Sequence, residues 1–198
     1  MNLKEELLKQ KEKSTKALPD ELRNAVKVRM EELKKQEIEK TALKKGDKIP
    51  NFTLQSFSGG KINIYDLLKE NSQIVLNFFR GSWCPYCNLE LVAYKEIYEE
   101  IKECDGDIVA ISPGLPEGKF KIEENNNLPF EVLRDKDNKV GKEFGLVFSL
   151  GEELAAKYKK VGIDLEENQG NKNSEIPVPA TYIVDKDGKI VFSYVDID

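Results

Sequence analysis

Cys84 and Cys87, with Pro85 and Tyr86 between them, are the side chains of this sequence best suited to covalent chemistry. They follow Ile74–Phe79, an apolar run rich in β-branched and aromatic residues that predicts a buried strand. Gly81-Ser82 breaks the run, and from Asn88 to Cys104 apolar residues recur at helical spacing (Leu91, Tyr94, Ile97, Tyr98, Ile101). The pair is therefore expected where a strand hands over to a helix. Unpaired backbone N–H groups there favour negative charge, and a thiolate is the charge that cysteine can offer. That placement lowers a thiol's pKa and makes it a better nucleophile. The C-x-x-C spacing sets both sulfurs on one turn, so an attacked sulfur can be resolved by its neighbour. The chemistry implied is thiol–disulfide redox.

Other uses of the pair are weaker. A structural zinc takes four protein ligands, and the chain has no histidine and three cysteines in all. No metal and no cofactor are expected. Free cysteines also serve as inert core residues, but Trp83 before the pair and Pro85 within it argue against that. Cys104, among Lys102, Glu103 and Asp105 at the end of the predicted helix, reads as a bystander.

The elements that must hold this pair fall into two units. Residues 1–43 carry Leu3, Leu7 and Leu8, then Leu22, Val26, Met30 and Leu33, at helical spacing among Lys and Glu. Pro19-Asp20 marks the start of a second, longer helix. These helices pack on the rest of the chain or on a partner subunit, and Lys44-Lys45-Gly46-Asp47 ends the unit. Residues 44–198 form the second unit, expected to fold on its own. Phe52–Gln55 and Lys61–Ile64 predict short strands around Gly59-Gly60, and Tyr65–Lys69 a brief helix. Asp107–Ser112 and Phe130–Leu133 predict strands; Glu117–Asn126, Lys139–Phe144 and Leu150–Val161 predict helices. Residues 162–175 are polar and predict an exposed loop. Ala180–Val184 and Lys189–Val195, joined by Asp185-Lys186-Asp187-Gly188, predict a hairpin. Strands alternating with helices and closing on a hairpin give an α/β/α sandwich with a central mixed sheet, preceded by a helical extension. In such folds sites lie at the carboxyl ends of strands, where the pair is placed.

Bulk properties narrow the partners. The 198 residues carry a net charge of −5, which argues against nucleic acid or an anionic membrane surface. No apolar run is long enough to span a bilayer. Met1–Glu6 lacks the layout of a secretory signal, and three cysteines are too few for a disulfide framework, so a reducing cytoplasm is expected.

Trp83-Cys84-Pro85-Tyr86-Cys87 at a strand–helix junction resembles the active site of the thioredoxin-fold superfamily. Three other stretches resemble its peroxiredoxin-like branch, the alkyl hydroperoxide reductase/thiol-specific antioxidant family. They are Gly46–Leu54, Leu128–Asp135, and Pro177–Asp185, the last similar to the proline loop facing that family's site. The likeness covers residues 44 to 195 or so. Laid on the family's Pro-x-x-x-Thr-x-x-Cys pattern, Cys87 takes the place of the attacking cysteine, Cys84 that of the threonine and Arg80 that of the proline. The family's later arginine falls near Pro179, where this sequence has none.

The resemblance implies a thioredoxin-like fold and a peroxidase acting on hydrogen peroxide or organic hydroperoxides, recycled by a thioredoxin-like or other dithiol reductant; a homodimer is compatible with it. One cysteine attacks the O–O bond and becomes a sulfenic acid, and the other condenses with it to a Cys84–Cys87 disulfide. Family alignment makes Cys87 the attacker, whereas the thioredoxin analogy makes it Cys84. Arg80 is the charged residue placed to steady the thiolate and the leaving oxygen. Trp83, Pro85 and Tyr86 are expected to line the substrate site, with Pro179 facing the sulfurs through a cis peptide. Two other readings use the same residues: a thioredoxin-like thiol–disulfide oxidoreductase, and a redox-sensitive binding module whose N-terminal helices engage a partner.

Overall fold

Along Ile74–Phe79 the side chains alternate between two cores. Ile74, Leu76 and Phe78 join Ile64, Leu68, Val140 and Phe144 on one side; Val75 and Phe79 join Leu91, Leu154 and both cysteines on the other. The period of two is that of a strand buried on both faces. The computed structural model of the chain, which describes residues 1–116 and 128–197, makes this segment the strand β3 (Gln73–Phe78). β4 (Gly106–Ser112) runs parallel to it, and β5 (Glu131–Arg134) parallel to β4. On the other flank β8 (Ala180–Asp185) pairs antiparallel with β3, and β9 (Ile190–Val195) antiparallel with β8. β1 (Thr53–Ser56) and β2 (Lys61–Asn63) complete a seven-stranded mixed sheet of order β2-β1-β5-β4-β3-β8-β9.

One face carries α4 (Ile64–Glu70) and α7 (Lys139–Glu143); the other carries α5 (Pro85–Glu96), α8 (Glu152–Lys160) and the N-terminal α2 (Asp20–Lys35). α1 (Leu3–Ala17) buries no residue fully and packs along α5. α2 and the short α3 (Ile38–Thr41) bury Leu22, Leu33 and Ile38 in the core cluster that also holds the cysteines. Among the described residues, no helix is long and apolar enough to cross a membrane.

Four expectations need correcting or lie out of reach. The single helix from Asn88 to Cys104 is broken at Ile97 (φ −104°, ψ 7°) into α5 and α6 (Tyr98–Glu103). The break leaves Ile97 exposed and turns Tyr98 and Ile101 onto the core. Residues 162–175 are not an open loop. Asp164 caps α9 (Leu165–Gln169) through Oδ1, which accepts from the Glu166 and Glu167 N–H groups at 3.0 and 3.3 Å, and Leu165, Asn168 and Gln169 are buried. Glu175–Pro177 forms β7, antiparallel to β6 (Val147–Ser149). The Val178–Pro179 peptide is trans, since none of the described bonds is cis. The segment is tied down as it leaves β7 by the Val178 N–H donating to the Leu146 carbonyl at 2.8 Å, and trans is the favoured form of a peptide bond before proline. The helix expected over Glu117–Asn126 lies outside the described residues.

Candidate active site

β3 ends at Phe78, and the chain passes through Phe79–Trp83 to Cys84, the N-cap of α5, with Pro85 at the first helical position. Proline suits that position because the first helical N–H needs no partner. The Cys84 backbone is extended (φ −90°, ψ 110°), and its Sγ accepts from the Cys87 N–H at 3.4 Å. The sulfur thus takes the role that a serine or aspartate oxygen usually takes at an N-cap. The turn is closed by the Cys84 N–H on the Gly81 carbonyl at 3.1 Å and by Asn88 Nδ2 on the Ser82 carbonyl at 2.8 Å. Gly81 adopts φ 139°, and a Cβ there would meet the Trp83 indole at 2.7 Å, so only glycine lets the ring lie over this turn. Trp83 packs edge-on to Tyr158 of α8, with centroids 5.9 Å apart.

Both cysteines are free and almost fully covered, Cys84 at 1 % and Cys87 at 2 % exposure. Their electrostatics differ sharply. The Cys87 thiol, hydrogen-bonded to Cys84, pulls the Cys84 thiol down to about 6 against the cost of burial. Arg80 and the Cys87 and Tyr86 backbone N–H groups act in the same direction. Cys87 is pushed well up by donating to Cys84, by burial and by the charge on Cys84. The pair therefore holds one proton and one negative charge, and the charge settles on Cys84. Burial opposes the charge on Arg80, but Cys84, Cys87 and Tyr158 together raise its pKa further. Its charge acts on both sulfurs, while Arg80 Nε is buried with no partner, as is Trp83 Nε1. Of these two donors without an acceptor, Arg80 Nε belongs to the residue whose charge acts on both sulfurs, and Trp83 Nε1 lies against Gly81.

The other expected residues sit at different depths. Trp83 is buried, Tyr86 half-buried against the same core, Pro85 exposed on the first turn of α5 and Pro179 half-buried beyond β7. Cys104 is exposed at the end of α6, away from the pair along the chain. Among the described residues, no group of His, Cys, Asp and Glu could hold a metal ion.

Sequence reasoning passed over a polar cluster beneath the pair. Asn77 of β3 and Thr181 of β8 are cross-strand partners, and Asn77 Nδ2 donates to Thr181 Oγ1 at 3.4 Å. The Tyr94 hydroxyl shares a 2.8 Å hydrogen bond with Thr181 Oγ1, which donates to Glu90 Oε1 at 3.4 Å. Burial raises the Glu90 pKa, and the charge on Cys84 raises it further. Two signals were available: an Asn inside an otherwise apolar strand, and a Glu three residues after Cys87 on the same helix face.

The chain is similar in sequence to peroxiredoxin Bcp of Bacillus subtilis (strain 168), 27 % identical over 146 residues covering 74 % of this chain and 81 % of that one. It is 25 % identical over 150 residues to the chloroplastic peroxiredoxin Q of Oryza sativa subsp. japonica, covering 76 % of this chain but 58 % of the rice protein. Its fold is similar to that of peroxidoxin BcpB from Mycobacterium tuberculosis, with a TM-score of 0.61 at 20 % identity over 77 % of this chain and 86 % of that one. A mixed sheet of this thioredoxin-like order, with a cysteine pair at the head of α5, agrees with the match of residues 45–193 to the AhpC/TSA family model. The chain belongs to the AhpC/TSA family.

Proposed function

We propose that the protein is a thiol-dependent peroxidase that reduces hydrogen peroxide or organic hydroperoxides through Cys84 and Cys87. The observation that carries this reading is the buried Cys84–Cys87 pair at the head of α5, where Cys84 Sγ accepts from the Cys87 N–H, with the Cys84 thiol lowered, the Cys87 thiol raised and the Arg80 charge acting on both. A thiolate attacks the O–O bond and a guanidinium steadies the oxygen anion that leaves. Cys84 is the attacking sulfur, because its thiolate is the favoured one and its N-cap position faces free N–H groups. Cys87 then condenses with the Cys84 sulfenic acid, releasing water and forming the Cys84–Cys87 disulfide. Trp83 and Tyr86 wall the site, and the unpartnered Nε of Arg80 is the donor that a bound peroxide oxygen would meet. Pro85 and Pro179 hold the first helical turn and the neighbouring loop in place. A thioredoxin-like dithiol protein returns the electrons by exchange with the disulfide, in keeping with the peroxiredoxin names of the relatives.

A thiolate on the first cysteine also suits disulfide exchange, which is the second reading. The burial of both sulfurs favours a small peroxide over a protein disulfide. Thiol counting settles the matter. Reduced protein mixed with hydrogen peroxide should lose two thiols within seconds, and peptide mapping should find Cys84 joined to Cys87 with Cys104 free. Inertness to peroxide together with rapid reduction of insulin disulfides would instead establish the exchange reaction.

A further inference from the structure

Peroxide reduction to an alcohol and water consumes two electrons and two protons, and a pair resting as thiolate and thiol holds both electrons but one proton. We propose that Glu90 supplies the second proton, resting as a carboxylic acid while the cysteine pair is reduced and as a carboxylate once the pair is a disulfide. The inference rests on the peroxidase reading. The Cys84 thiolate attacks one oxygen of ROOH, the O–O bond breaks and Cys84 becomes a sulfenic acid. The departing RO⁻ takes the Glu90 proton and leaves as ROH. The Cys87 sulfur then bonds to the Cys84 sulfur, and its proton departs with the sulfenic hydroxyl as water. Charge balances: one thiolate at the start, one carboxylate at the end.

The position of Glu90 and its charged neighbours support this assignment. Glu90 lies one helical turn after Cys87, part-buried, and the charges on Cys84 and Arg80 act on its carboxyl in opposite directions. Arg80 is the cation these two groups share, so the Cys84 thiolate and a Glu90 carboxylate repel one another while the pair is reduced. When the disulfide forms the repulsion vanishes, and the Arg80 charge remains to favour the carboxylate.

The cluster around Glu90 can also accommodate either state. As a carboxylate, Glu90 accepts from Thr181 Oγ1 and its charge is favoured by the Asn77 amide, while Asn77 Oδ1, in a fully buried residue, is left without a donor. As an acid, Glu90 has a proton to donate, and turning the Asn77 amide over presents Oδ1 to receive it. The remaining groups that face Glu90 are few. Tyr94, on the same helix, is itself pushed up to about 12 by burial and keeps its proton. Tyr194 of β9 feels the Glu90 charge but is held by its own hydrogen bond to Asp196. Tyr158 of α8 faces Arg80 and Cys84, and the N-terminal ammonium brought by α1 pairs with Glu96 farther along the helix.

Infrared difference spectroscopy of the full-length protein, reduced minus oxidised, tests the proposal without any variant. The expected result is a protonated-carboxyl band in the reduced protein that disappears on oxidation and is missing in Glu90→Gln; should that variant fail to fold, Glu90→Asp must shift the band. An indicator dye then counts protons in weak buffer about one pH unit above the thiolate midpoint. The parent should take up none per disulfide formed with hydrogen peroxide, and Glu90→Gln should take up one. Oxidation with excess oxidised dithiothreitol separates the two readings. A band lost with that oxidant but no reaction with peroxide removes the peroxidase reading alone. Fast oxidation by peroxide with no carboxyl band in the reduced protein, or a band that survives oxidation, overturns the role of Glu90.

Discussion

At Cys84 and Cys87 the proton is shared unequally, and single substitutions separate the two sulfurs by what each leaves behind. Cys87→Ser keeps a hydroxyl donor for Cys84, so the thiolate should persist and peroxide should trap a sulfenic acid there. Cys87→Ala removes the largest stabilising contact of the Cys84 thiolate and should raise its midpoint above the value near 6. Cys84→Ser should react at least about tenfold more slowly with peroxide, the rate equivalent of 1.4 kcal/mol; a fast Cys84→Ser variant would hand the attack to Cys87. Arg80→Met removes the guanidinium and should raise the thiolate midpoint and slow peroxide reduction by about tenfold or more, with Lys rescuing in part because it lacks the planar fork. The pH dependence has a definite sign. A depressed Cys84 pKa means that the unfolded chain holds a proton which the folded one has released. The stability of reduced protein relative to Cys84→Ser should therefore rise from about pH 6 toward the ordinary thiol value near 8.5, and this contribution is lost as pH falls through 6. Urea titrations at stepped pH measure it. The two cysteines and Arg80 were legible because their types and spacing are local. Glu90 was not, because its meaning depends on Asn77 and Thr181, which only the pairing of β3 with β8 brings together.

The elements that sequence periodicity predicted well are those long enough to show a period. β3, β4, β8, β9, α2 and α8 lie within a few residues of expectation, while α5 starts where expected but stops at Glu96. β6 and β7 have three residues each, and α9 has five with a single leucine; no hydrophobic period can be read from so little. What holds α9 is capping: Asp164 at one end and Gly170, at φ 73°, at the other. Asp164→Ala should cost about 0.5–2 kcal/mol, read by chemical denaturation. Because the Asn168 carbonyl accepts from the Leu115 N–H at 2.8 Å, faster amide exchange at Leu115 should accompany the loss. At the turn before Cys84, Gly81→Ala drives a methyl group into the Trp83 indole and must displace it. The expected outcome is a changed tryptophan fluorescence and a loss of about 1–3 kcal/mol, the usual cost of overpacking; unchanged fluorescence and stability would show that the ring gives way freely.

For the whole molecule, the N-terminal helices decide how far the core extends. The sequence divides at residue 43, and the family match begins at 45, but burial follows another boundary. α1 buries no residue, whereas Leu22, Leu33 and Ile38 are at 2, 0 and 8 % exposure inside the cluster that contains both cysteines. Arg29 Nε donates to the Ser149 carbonyl at 3.0 Å, and Lys157 of α8 pairs with Glu21. α2 thus lies against the helix that brings Tyr158 to Trp83. Removing residues 1–17 should leave stability within about 1 kcal/mol, since surface changes away from buried groups cost little. Removing residues 1–43 takes away four buried apolar side chains, of which Leu22, Leu33 and Ile38 are worth about 1.5–3 kcal/mol each. That is a large share of the roughly 5–15 kcal/mol that holds a domain together. The shorter chain should therefore unfold at markedly lower urea and show weaker protection of α8 amides. Leu33→Ala tests the same point without a truncation and should cost about 2–5 kcal/mol. Equal stability of chains 1–198, 18–198 and 44–198 would instead mean that the extension is a separate unit resting on a core already complete.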